Sequence, residues 1–141
     1  MGWPGDRMRR RFDRETVMER RLRGGTSSLK QIDKPWGYEI WWAETERYAG
    51  KILFVKQGES LSLQYHNRKA ESMYCLEGRA QLTLDDHEIL LTPGVAADIP
   101  VGVRHRLLAM EDTRVVEVST PELDDVVRLE DRYGREGTSA P

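Results

Sequence analysis

Cysteine is nearly missing from this chain: Cys75 is the only one among 141 residues. A single thiol closes no internal disulfide and leaves no CxxC zinc knuckle available. Long apolar runs are missing too. Nothing approaches the ~20 residues a membrane-crossing helix needs, so a membrane partner is not expected. The arginine-rich N-terminus leads into no apolar stretch, which argues against a secretory signal. With no disulfide framework either, the expected setting is the cytoplasm. A general excess of positive charge is also absent, the net charge being -2. Residues 1–28 hold eight arginines against four acids, for +4, which leaves -6 on the remaining 113 residues. The bulk of the protein therefore has no general attraction for polyanions. The basic stretch lacks interleaved aromatics and is diluted by its own acids. Nucleic acid is not an expected partner; a solvated or dimer-packing extension is the better reading.

What is present fits one folded domain with a busy surface, 38% hydrophobic and 33% charged. Residues 13–22 are dense in helix formers, with Phe12, Val17, Met18 and Leu22 as apolar members, and predict a short amphipathic helix. Gly24-Gly25 and Thr26-Ser27-Ser28 end it as a linker. The expected division is an extension over 1–28, a barrel over 29–135 and a flexible tail over 136–141. From Lys30 onward the pattern predicts short strands near 39–42, 48–56, 61–66, 72–76, 80–84, 88–91, 97–99, 104–109 and 114–119. Turn signals divide them, among them Glu77-Gly78, Asp85-Asp86, Pro93-Gly94 and Pro100-Val101-Gly102. Many short strands at this spacing imply an all-β double-sheet roll or barrel, open at its centre to a ligand.

One strand carries an unusual face. Leu61, Leu63 and Tyr65 alternate with Ser62, Gln64 and His66, so one side must pack and the other must line something polar. Gln64 and His66 leave the same face because they are two apart. Glu71 opens the next strand after a loop, and His105 opens another after Pro100-Val101-Gly102. Two imidazoles, a carboxylate and an amide oxygen suit a borderline divalent ion: zinc, iron, manganese, cobalt or nickel. The lack of thiolate ligands argues against a closed structural zinc site.

The spacing adds weight. Gly58 is followed by five residues, Gln64-Tyr65-His66, four residues, Glu71, six residues and Gly78. Gly94 is followed by five residues, Pro100-Val101-Gly102, two residues and His105. These blocks resemble the two motifs of the cupin superfamily, G(X)5HXH(X)3-4E(X)6G and G(X)5PXG(X)2H(X)3N. Gln64 stands in for the first histidine and Ala109 for the last asparagine. A glutamine-X-histidine start resembles sugar-phosphate cupins. Lys34-Pro35-Trp36-Gly37, the 58–66 block, Ile99-Pro100 through Leu107, and Asp124 through Arg135 resemble, in order, the C-terminal isomerase domain of type II mannose-6-phosphate isomerases. The surroundings depart at Asn67-Arg68-Lys69, at Ser72-Met73 and at Glu122-Leu123. In larger members of that family the domain follows a guanylyltransferase domain. Nothing in this sequence resembles its glycine-rich nucleotide loop, so guanylyl transfer is set aside.

The resemblance implies a cupin double-stranded β-helix holding a divalent ion, zinc first, through Gln64, His66, Glu71 and His105. It implies isomerisation of mannose 6-phosphate, or a close relative, to the ketose. An iron-dependent oxygenase on the same cage and a non-catalytic sugar-binding module are the alternatives. Lys51, aligned with a lysine usual in the family, and Arg128 are the candidate catalytic residues. Lys69, Arg106, Tyr133 and Arg135 are the candidate substrate-binding residues, since a guanidinium matches a phosphate bidentately. Against these stand plainer readings: Lys51 as a rim lysine, and Arg128 and Arg135 as partners of Glu130 and Asp131. Trp36, Trp41 and Trp42 read as core or interface aromatics, Cys75 as a buried apolar residue and His87 as solvated. A sugar phosphate and a second copy of the chain are the expected partners.

Overall fold

Alternation and turn chemistry shape the chain from Lys30 onward. The protein is described by a computed structural model covering Thr16 and residues 23–138. Its strands are β1 (Lys30–Lys34), β2 (Gly37–Glu44), β3 (Ala49–Val55), β4 (Leu63–Tyr65), β5 (Glu71–Glu77) and β6 (Ala80–Leu84). They continue as β7 (His87–Leu91), β8 (Ala96–Ile99), β9 (His105–Ala109), β10 (Thr113–Ser119), β11 (Val127–Glu130) and β12 (Gly137–Thr138). Apart from Thr16, the helix expected over 13–22 lies outside the described residues.

Two antiparallel six-stranded sheets result, ordered β1-β2-β3-β10-β5-β8 and β12-β11-β4-β9-β6-β7. The side chains of both inner faces form one core, in which Leu53, Val55, Met73, Cys75 and Val115 meet Leu82, Leu84, Leu91 and Leu107. Each such residue gains roughly 1.5–3 kcal/mol from leaving water. Two turns depend on glycine. Gly78, between β5 and β6, has φ 90°, and a Cβ there would lie 2.2 Å from the Asp112 carbonyl oxygen. Gly37, closing the β1–β2 hairpin, would place a Cβ 1.9 Å from the Phe54 carbonyl oxygen.

The inward rows change character along their length. On β3 the row runs Lys51, Leu53, Val55; on β5, Glu71, Met73, Cys75; on β9, His105, Leu107, Ala109; on β10, Glu117, Val115, Thr113. The apolar members make the core, and the charged ones gather around a cavity. Register enforces this, because Glu117 pairs with both Lys51 and Met73, while Val115 pairs with Leu53 and Cys75.

Three strands were not expected. β1 is polar and at a sheet edge, so it carries little apolar alternation. β11 lies beyond the strands expected from the pattern. β12 pairs with β11 inside the stretch read as a loose tail. The strand expected over 61–66 shortens to Leu63–Tyr65, because Leu61 bonds through its amide to the Leu107 carbonyl and turns inward beside Ser62.

Candidate metal centre

The cavity holds about 500 Å³, its open mouth included, and is lined by Lys34, Trp36, Glu39, Lys51, Ser62, Gln64, His66, Lys69, Glu117, Arg128 and Arg135, among others. Three strands deliver the residues of its floor: Gln64 on β4 and His66 just after it line the cavity, and Glu71 opening β5 and His105 opening β9 sit against them. Ligand atoms of His66, Glu71 and His105 all lie within 4.8 Å of one another. Glu71 Oε1 is 3.0 Å from His105 Nε2 and 3.5 Å from His66 Nε2. Gln64 sits beside them, its amide 3.4 Å from His105 Nε2 and its Oε1 accepting from the Ser62 hydroxyl at 2.8 Å.

The two rings are held from behind. His66 Nδ1 faces the Asp125 carbonyl at 2.5 Å and His105 Nδ1 the Val103 carbonyl at 2.9 Å. A carbonyl only accepts, so Nδ1 carries the proton and Nε2 turns a lone pair to the floor. His66 Nε2 and Glu71 Oε1 are buried without a hydrogen-bond partner. A cation at their meeting point would satisfy them, and a carbonyl holding the far nitrogen of each ring is how metal-binding histidines are oriented. The residues fit a divalent ion.

The carboxylates bear this out. Burial works against an ionised Glu71. The polar groups packed around it, Glu117, His105 and His66, and the Lys69 charge outweigh it, holding Glu71 well below the usual carboxylate range. Glu117 goes the other way, pushed up to about 8, first by burial and then by the Glu71 charge. Of this pair, Glu117 is the one that holds a proton more readily. Burial also disfavours the Lys69 ammonium, but Glu117 and Glu71, at 3.5 and 3.1 Å, keep it above the ordinary lysine range.

Above the floor the wall is cationic. Lys51 is 4% exposed, so it is no rim lysine; it pairs with Glu39 at 3.3 Å and lies 4.7 Å over the Trp41 ring. Arg128 is buried on the same wall, its guanidinium lowered by burial and then by Arg135. Arg135 lines the cavity while forking onto Asp131 at 2.8 and 3.1 Å. Lys34 joins them; burial lowers its ammonium, and Lys51, Arg128 and Arg135 add to the effect against Glu39.

Two expected site residues lie elsewhere. Arg106 follows His105 on β9 and so leaves the opposite face, where it pairs with Glu130 at 3.2 Å. Tyr133 packs on the core and donates to the Glu59 carboxylate. Neither lines the cavity. Sequence reading missed Lys34, Glu39, Glu117 and Asp125. Trp36 and Trp41 are buried, Trp36 also lining the cavity, while Trp42 is 36% exposed; Cys75 is buried in the core and His87 is exposed, as expected.

This floor of Gln64, His66, Glu71 and His105 sits within residues 23–131, which match the family described as mannose-6-phosphate isomerase C-terminal. The chain belongs to that family. Among its relatives is the xanthan biosynthesis protein XanB of Xanthomonas campestris pv. campestris (strain B100), 38% identical over 111 residues, covering 75% of this chain and 24% of XanB. The chain thus spans about a quarter of that relative's length. KdgF from Halomonas sp. is a structural likeness at TM-score 0.65 and 21% identity, covering 72% of this chain and 96% of that one. A cupin-superfamily sugar phosphate isomerase from Silicibacter pomeroyi DSS-3 matches at TM-score 0.55 and 18% identity, over 64% of each chain. The fold of this family member is the cupin roll.

Proposed function

We propose that this family member is a metal-dependent aldose–ketose isomerase acting on a phosphorylated sugar, mannose 6-phosphate to fructose 6-phosphate or a close relative. The observation that carries the reading is the His66–Glu71–His105 cluster, with its unpartnered His66 Nε2 and Glu71 oxygens, beside a cavity walled by Lys34, Lys51, Arg128 and Arg135. Gln64, His66, Glu71 and His105 would hold a divalent ion, zinc first. Such an ion would supply Lewis-acid polarisation to the carbonyl and hydroxyl oxygens of an open-chain sugar. Arg128 and Arg135, with Lys34, hold the phosphate, since guanidinium forks match it. Lys51, in its neutral amine form, moves the proton: it takes it from C2 and returns it at C1, while the hydroxyl proton passes from O2 to O1. Lys69 acts on charge at the floor, keeping Glu71 ionised, rather than on the substrate.

The test is metal content of purified protein followed, on that sample, by a coupled assay for fructose 6-phosphate formed from mannose 6-phosphate. Stoichiometric metal with chelator-sensitive turnover is expected, and Gln64→Ala and His105→Ala should lose both. Metal with tight sugar-phosphate binding but no turnover would move the reading to a non-catalytic binding module. Absence of metal after reloading would remove the centre. A homodimer is part of the proposal; a single chain's mass in equilibrium sedimentation would remove that part.

A further inference from the structure

Two of the floor residues, His66 and Glu71, flank the loop 67–70, and every amide of that loop is taken by one remote segment. The Asp125 carboxylate accepts from the backbone N–H of Asn67 at 3.1 Å, Arg68 at 2.6 Å and Lys69 at 2.9 Å. The Thr120 hydroxyl accepts from Ala70 N–H at 3.1 Å, and Thr120 N–H returns a bond to the Ala70 carbonyl at 3.0 Å. The backbone carbonyl of the same Asp125 then meets His66 Nδ1 at 2.5 Å. His105 is oriented differently, by Val103 two residues away on its own chain segment. The orientation of His66 therefore depends on a contact spanning 59 residues, and the Asp125 clasp fastens the loop directly to the residue that makes that contact.

We propose that Asp125 is a positioning residue for the metal centre. Its carboxylate fastens the loop between the two ligands so that its own carbonyl selects the Nδ1–H tautomer of His66. A free imidazole in water favours the other tautomer, so without the clasp Nε2 would carry a hydrogen where the floor needs a lone pair. The inference rests on the metal-centre reading above, yet the tautomer is a property of the protein alone.

The experiment compares wild type with Asp125→Ala, Asp125→Asn and, as a control in the same segment, Asp124→Ala. Side-chain nitrogen NMR of metal-free protein, at a pH where the rings are neutral, reads the His66 tautomer. Competition with a chromophoric chelator reads affinity for zinc and cobalt. Asp125→Ala should shift His66 toward Nε2–H and weaken metal binding about tenfold to a hundredfold. Asp125→Asn, which keeps one acceptor oxygen, should fall between, and Asp124→Ala should match wild type. A folded Asp125→Ala with unchanged tautomer and affinity would overturn the proposal. If that variant does not fold, Asp125→Asn indistinguishable from wild type on both readouts does the same. Wild type that binds neither ion would sink the metal-centre reading, while the tautomer comparison would still decide whether the clasp exists.

Discussion

Asp131 shows how a single residue ties the cationic wall to stability. Burial disfavours its carboxylate, but the Arg135 side chain and amide outweigh that and hold it below the ordinary range. A depressed value in the folded state means a contribution fully present above the unfolded value, near 3.9. That contribution is lost as pH falls through the lower folded value. Asp131→Asn should thus cost about 1.5–3 kcal/mol at pH 7, the worth of hydrogen bonds to a charged group. The gap to wild type should shrink as pH falls below the ordinary carboxylate range and through the lower folded value, since both proteins then carry a neutral side chain. Urea unfolding at neutral and at low pH checks it; a gap that persists at low pH would show that shape, not charge, sets the effect.

Turns and strands carry their own expectations. Gly78 and Gly94 both have positive φ, at 90° and 92°, but only Gly78 has backbone close to its missing side chain. Gly94→Ala should therefore cost only the left-handed strain of about 1–2 kcal/mol, and Gly78→Ala clearly more, with the β5–β6 turn displaced. Chemical denaturation ranks the pair, and equal losses would count against the clash. At this scale the sequence was informative wherever glycine, proline and alternation coincide. The floor could be read from the spacing between Gly58 and Gly78 and between Gly94 and His105. The wall could not. β10 offers Arg114, Val116 and Val118 on one face and Thr113, Val115 and Glu117 on the other, and nothing in that alternation says which face turns inward. Arg106 was misread because its neighbour His105 drew attention to the strand, although adjacent residues leave opposite faces. The Asp125 clasp was invisible because it joins a carboxylate to backbone amides nearly sixty positions away, and amides carry no side-chain signature.

Over the whole molecule, an ion that binds only the folded chain adds to its stability. At one hundred times its dissociation constant, a divalent ion should add about 2.7 kcal/mol. For a protein of this size that is a rise in Tm of roughly 5–15 °C, reversed by chelator. Differential scanning calorimetry of loaded and stripped samples checks it, and His105→Ala should show no such rise. The split of the interior into an apolar half and a charged half has a further consequence. Buried ion pairs such as Lys51–Glu39 are often matched or bettered in stability by apolar side chains of similar volume. The charged half is thus where this fold gives up robustness, and where exchanges of one ion for another leave the greasy half intact. Substitutions in the wall alone would change what the cavity takes, without a new way to fold.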